Sequence, residues 1–188
     1  GRSVSDSQMR YLLNSLYHER TKHGLLTCFH ADAAVRAVNK ARSALNRLMD
    51  ELVSWQTSSG RSNGRFVARP AVQNPLSDVL RDLHDKLQSV RDLAGDEGDR
   101  FEVNSFMERT AGLAEMIEDL LNQKHENWVY WMEIEPDRHR RVTLKGRPID
   151  IGACLKDSLF GVVPSVVLTS ATLTTGPRGG FDYIRNRL

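Results

Sequence analysis

Ala34, Val38, Ala41, Leu45, Leu48, Leu52 and Trp55 recur at alternating intervals of four and three residues. Only an α-helix keeps such a set on one side of the chain, and a stripe this regular needs other helices to cover it. Three further segments offer that cover. Met9, Leu12, Leu13 and Leu16 form one apolar face, opened by Ser5 and Gln8 in capping-box spacing, with Gly24 as the expected stop. Leu76, Val79, Leu80, Leu83, Leu87 and Val90 follow Asn74-Pro75, an N-cap with proline in the first turn. Val103, Phe106, Thr110, Leu113, Ile117 and Leu120 follow the break "AGDEGD". Four helices between about residues 6 and 124 are the expected body of the chain.

Helical periodicity ends there. "NWVYWMEI" (127–134) is aromatic and β-branched, with Trp128, Tyr130 and Met132 on one face and Val129 and Trp131 on the other. Both faces are apolar, so the expectation is a strand between two layers. "RRVTLKG" (140–146) reads as a second strand, "IGACLKDSLF" (151–160) as a short amphipathic helix, and "SVVLTS" (165–170) as a third strand. "LLTCF" (25–29) fits either a strand or the turn into the next helix. The division is therefore drawn at residues 1–125, helical, and 126–188, a small α/β portion. Strands this apolar need helices on both sides, and too few remain to supply them.

Charge is segregated although the net formal charge is only +2. Residues 1–75 hold 11 Lys/Arg against 5 Asp/Glu, residues 76–135 hold 6 against 15, and residues 136–188 hold 9 against 4. A polyanion on one side of the molecule would account for that order. The candidate contacts are Arg36, Lys40 and Arg47, which lie together away from the apolar stripe, and Arg61, Arg65 and Arg69 in the acid-free loop 56–75. The bland alternative for both groups is a solvated surface. Trp128, Tyr130 and Trp131 read first as core packing and second as base-stacking groups.

Several function classes drop out. No apolar run approaches the roughly 20 residues that span a bilayer, and no signal-peptide pattern opens the sequence, so a cytoplasmic location is expected. Cys28 and Cys154 sit in apolar surroundings and read as buried thiols; two cysteines cannot hold a four-cysteine cluster. There is no HExxH and no Cys/His cluster, and no metal site is expected.

One stretch carries chemistry. "VVLTSATL" (166–173), a glycine-containing gap and "FDYIRNRL" (181–188) resemble motif III and the segment after it in superfamily 2 helicases of the DinG/XPD type. "RYLLNSLYHERTKHGLL" (10–26) is similar to the opening of that family's inserted helical arch, and "PIDIGACLKDSLF" (148–160) to the return into the motor domain. The resemblance implies a mainly α chain: a four-helix arch-type insert plus part of a RecA-like motor domain whose remaining strands lie elsewhere in a parent protein. It implies ATP hydrolysis coupled to translocation on single-stranded DNA and duplex unwinding, with single-stranded or forked DNA and the remaining motor domains as partners. ATP and Mg2+ are the cofactors it implies for the parent, and an iron–sulfur cluster in the parent stays open. Ser170, Ala171 and Thr172 would serve as motif III, coupling the nucleotide site to the DNA cleft. These residues alone should not hydrolyse ATP, because neither GxxxxGK[ST] nor DEAH occurs and Glu133-Ile134-Glu135 does not replace them. The alternative is a free-standing helical module that binds nucleic acid or protein, with "TSAT" accidental.

Overall fold

The computed structural model describes residues 1–135, 141–170 and 180–187. Two compact units divide the chain, Gly1–Arg147 and Pro148–Leu188.

The first unit is a helical body with a small sheet. Its elements are β1 (Arg2–Ser5), α1 (Asp6–Leu16), a 3-10 turn (Leu25–Phe29), α2 (Asp32–Ser59), α3 (Pro75–Leu93), α4 (Glu97–Asn122), β2 (Trp128–Ile134) and β3 (Val142–Pro148). The apolar stripes read from the sequence meet in one core: Leu13, Leu16, Val38, Leu45, Leu48, Leu52, Leu83, Leu87, Val103 and Ile117 are all essentially inaccessible to solvent. α3 lies against both α2 and α4. Two buried hydroxyls in this core are satisfied internally. The Ser77 hydroxyl donates to Ala114 O at 3.0 Å and the Thr110 hydroxyl to Phe106 O at 2.7 Å.

Caps set the helix starts. Ser5 Oγ accepts from Gln8 N, Asn74 Oδ1 from Ser77 N and Asp96 Oδ1 from Asp99 N, each satisfying an amide that has no partner inside the helix. α1 is shorter than its sequence implies. It stops at Leu16, and the chain turns back through a bridge between His18 and His23 before Gly24. The reason is visible in the sequence: no apolar residue continues the face after Leu16 and Tyr17 until Leu25. Arg42 on α2 holds that end, its guanidinium donating to Tyr17 O at 2.8 Å and Asn14 Oδ1 at 2.9 Å.

The sheet has the order β1-β3-β2. β1 runs antiparallel to β3, with Val4 opposite Leu144 and Arg2 opposite Gly146. Tyr130, Met132, Val142 and Leu144 point into the helical core. Gly146 fits beside α4 because a Cβ there would press on Leu120 and the Tyr130 ring. Arg2 pairs with Asp119, a carboxylate buried near the end of α4 and also approached by Lys124 Nζ at 3.1 Å. Both strands at 128–148 thus pack on the helices that precede them, whereas the sequence reading grouped them with the residues that follow.

In the second unit, α5 (Gly152–Leu155) runs into one wide turn at Lys156–Phe160, closed by Gly161 N donating to Lys156 O at 2.8 Å. α6 spans Asp182–Arg187. The expected strand at 165–170 is not present: those residues have no regular structure. β propensity alone does not hold a strand, since its backbone groups need a ladder partner. Cys28 is exposed, which corrects the expectation of a buried thiol; the side chain of Cys154 lies outside what the structure describes. The 3-10 turn at Leu25–Phe29 buries Leu26 alone, and Thr27 and Cys28 after it are exposed. Among the described residues no helix is long and apolar enough to cross a membrane.

Candidate nucleic-acid interface

The two groups of basic residues occupy different places. Arg36, Lys40 and Arg47 are exposed on α2, opposite the buried stripe. Arg47 Nε lies 3.3 Å from Glu51 Oε1, a pair between solvated side chains. Arg36 and Lys40 stand about 22 Å or more along the helix axis, at 1.5 Å per residue, from Trp55, on which Phe66 of the loop packs. They and the loop arginines do not form one small site.

The loop arginines are brought to the sheet. Residues 64–66 fold back onto the free edge of β2: Phe66 N donates to Tyr130 O at 2.9 Å and Met132 N to Gly64 O at 2.9 Å. Arg65 and Trp131 are opposed across this bridge. Phe66 turns inward, edge-on to Trp55 with ring centroids 5.4 Å apart, and anchors the loop in the core. Arg61, Arg65 and Arg69 stay exposed, and none has an ion pair among the described residues. Arg61 and Arg65, with Val67, Gln123, Trp128 and Val129, surround a groove of about 370 Å3. Gln123 also lines the neighbouring cleft, which contains Arg69 and Lys124 together with Glu118, Asp119 and Glu126. Three of the six candidate residues therefore border adjoining clefts, and three do not.

The aromatic residues of β2 divide by face. Tyr130 is buried, its hydroxyl accepting from His125 N at 2.9 Å. Trp128 is half-buried and stacks on the His125 ring with centroids 4.7 Å apart. Burial holds the His125 imidazole below its ordinary pKa, aided by the charges of Arg2 and Lys124. Asp119, 3.7 Å from His125 Nε2, is itself paired with Arg2 and Lys124.

Trp131 lies on the outer face of the sheet. Its indole N–H donates to Glu133 Oε1 at 2.9 Å, and Lys145 Nζ donates to Glu133 Oε2 at 2.7 Å. These two bonds, that from Lys145 foremost, hold the Glu133 carboxyl below the usual glutamate range. A depressed carboxylate stabilises the fold above its unfolded pKa, and that contribution is lost as pH falls through the lowered folded value. Glu133→Gln should therefore flatten the acid limb of a stability–pH curve. The loss at neutral pH should stay below about 1 kcal/mol, since the pair is half-solvated; thermal melts from pH 3 to 7 check this. The Trp131–Glu133–Lys145 chain was not identified from the sequence, although strand alternation places 131 and 133 on one face.

Ser170 is described and exposed, whereas Ala171 and Thr172 lie outside the described residues. Among the described residues no group of three or more His, Cys, Asp or Glu side chains is placed to hold a metal ion. No protein-family model matches the chain, and comparison with curated proteins and with solved structures finds no match either.

Proposed function

We propose that this chain is the arch and adjoining motor-domain portion of an ATP-dependent DNA helicase of the DinG/XPD type, guiding single-stranded DNA and coupling through Ser170, Ala171 and Thr172. One observation carries the reading. Seven large apolar side chains in the second unit stand exposed among its described residues: Ile149, Ile151, Val162, Val163, Val167, Leu168 and Phe181, with Val167 83% accessible. A run as apolar as 166–168 leading into Ser170 has the composition of a buried motor-domain strand, and among the described residues it has no ladder partner. In the proposed reading these side chains are covered by the rest of the motor domain. The unpaired arginines beside β2 supply the surface that a phosphate backbone requires. In this reading ATP and Mg2+ are held by the rest of the motor.

The test is ATP turnover by the protein extended to include its flanking segments, with and without single-stranded DNA. Turnover should be stimulated by the strand. Ser170→Ala should cut the stimulated rate about tenfold, the worth of one hydrogen bond made in the coupled state, with nucleotide affinity unchanged. An extended protein without ATPase activity overturns the reading.

A second reading, a free-standing helical module that binds nucleic acid or protein, is favoured by one observation: the first unit closes its own core, sheet included. It predicts DNA or protein binding with no ATP dependence in any extended form.

A further inference from the structure

We propose that the outer face of the sheet is a stacking platform for one unpaired nucleobase. Trp131 is the stacking ring, Arg65 the phosphate contact and Glu133 the positioning residue. The inference rests on the reading above insofar as it takes single-stranded nucleic acid as the ligand, but it does not depend on the helicase assignment.

Four observations converge on this face. Trp131 is only half-buried, on the side of β2 turned away from Tyr130 and Met132, which fill the core. Its indole is oriented before any ligand arrives, because Nε1–H donates to Glu133 and Glu133 is bonded in turn by Lys145. A ring fixed before the ligand arrives loses little freedom on stacking, which is what a platform needs. Arg65 sits directly across from Trp131, so its side chain emerges on the same face. It is exposed and has no ion pair among the described residues, whereas the carboxylate nearest the ring, Glu133, is neutralised by Lys145.

The ligand chemistry follows. A flat aromatic surface beside an uncommitted guanidinium accepts a base by its π face and the adjoining phosphate by charge, without reading sequence. A paired duplex keeps its bases stacked on one another and offers no such face. The platform therefore takes single strands and discriminates against strands without bases. A protein ligand would show none of this base dependence.

The test is fluorescence anisotropy of the full 188-residue chain with labelled 12-nucleotide oligo(dT), an abasic strand of equal length and a duplex. Oligo(dT) should bind more tightly than the abasic strand. Trp131→Leu should weaken oligo(dT) binding about tenfold, from the usual worth of one stacked base, and leave the abasic affinity unchanged. Trp131→Phe should restore most of the loss. Arg65→Ala should weaken both strands and reduce the slope of log affinity against log salt by about 0.7. Glu133→Ala should erase the preference for oligo(dT), and Glu133→Gln, which keeps an acceptor for the indole N–H, should restore it.

Equal binding of oligo(dT) and the abasic strand overturns the platform. So does a folded Trp131→Leu chain with wild-type affinity, or failure of the chain to bind either strand. Loss of the helicase reading is separate: an extended protein without ATPase activity, whose oligo(dT) binding still depends on Trp131, removes the motor and leaves the platform in place.

Discussion

Replacing Gly64 with alanine should lower the unfolding free energy by about 2–4 kcal/mol and detach the arginine loop from the sheet. Gly64 has φ +72°, a backbone that costs a residue with a Cβ roughly 1–2 kcal/mol. A Cβ at this position would also overlap the carbonyl oxygen of Met132, so the loop must move away from β2. Moving it breaks the two backbone bonds that join residues 64 and 66 to the strand, each worth about 1 kcal/mol net. It also draws Phe66 off Trp55. For a chain of this size the melting temperature should fall by roughly 5–15 °C. The functional effect should be as informative as the stability effect. Arg65 loses its place opposite Trp131, so oligo(dT) binding should weaken to about the level of the Arg65→Ala chain. Arg36 and Lys40 on α2 are untouched. A variant that melts like the wild type would show that residues 64–66 do not pair with β2 in solution. Equilibrium denaturation alongside anisotropy measures both outcomes.

The parts of this fold that were legible in the sequence are those written locally. The α2 stripe places Ala34 through Leu52 in the core, and Ser5 and Asn74 cap the helices that follow them, because a helix satisfies its backbone within its own segment. β1 was not legible. "RSVS" holds one apolar residue, and it is a strand only because β3, some 140 positions later, offers a ladder. The error at 165–170 is the converse: Val166, Val167 and Leu168 have the propensity and lack a partner among the described residues. The same reasoning applies to the site. Arg61, Arg65 and Arg69 could be picked out by their acid-free loop, but the meeting of Arg61 and Arg65 with Trp128, and of Arg65 with Trp131, depends on Ser62-Asn63-Gly64 turning the chain back to an edge it shares no local pattern with. Arg36, Lys40 and Arg47 are exposed on α2, and how far Arg36 and Lys40 stand from Arg65 follows only from where Phe66 docks on that helix.

Leu83→Ala should destabilise the fold by about 3–5 kcal/mol, and it should leave base preference intact in the molecules that remain folded. Leu83 is completely buried near the middle of α3, the helix that lies against both α2 and α4. Removing its isobutyl group forfeits the transfer energy and leaves a cavity that two neighbouring helices must both shift to fill. Nothing at the helix ends permits an easy collapse. α3 is fixed at its start by Asn74 and by Ser77 bonded to Ala114 O, and on its flank by Arg81 bonded to Glu118 at 2.7 Å. Against a total stability of about 5–15 kcal/mol for a typical domain, such a loss leaves a marginal protein. Leu93, at the exposed end of the same helix, supplies the control: Leu93→Ala should cost less than about 0.5 kcal/mol. The two substitutions remove the same atoms from one helix and differ only in what surrounds them. Urea denaturation of both variants measures the difference; similar midpoints would mean that α2 and α4 do not close on α3 as described. The oligo(dT) to abasic affinity ratio of Leu83→Ala, corrected for the folded fraction, should match the wild type. Trp131, Glu133 and Arg65 depend on the sheet and its loop, and Leu83 touches the helical core. A change in that ratio would place the stacking surface on the helices instead.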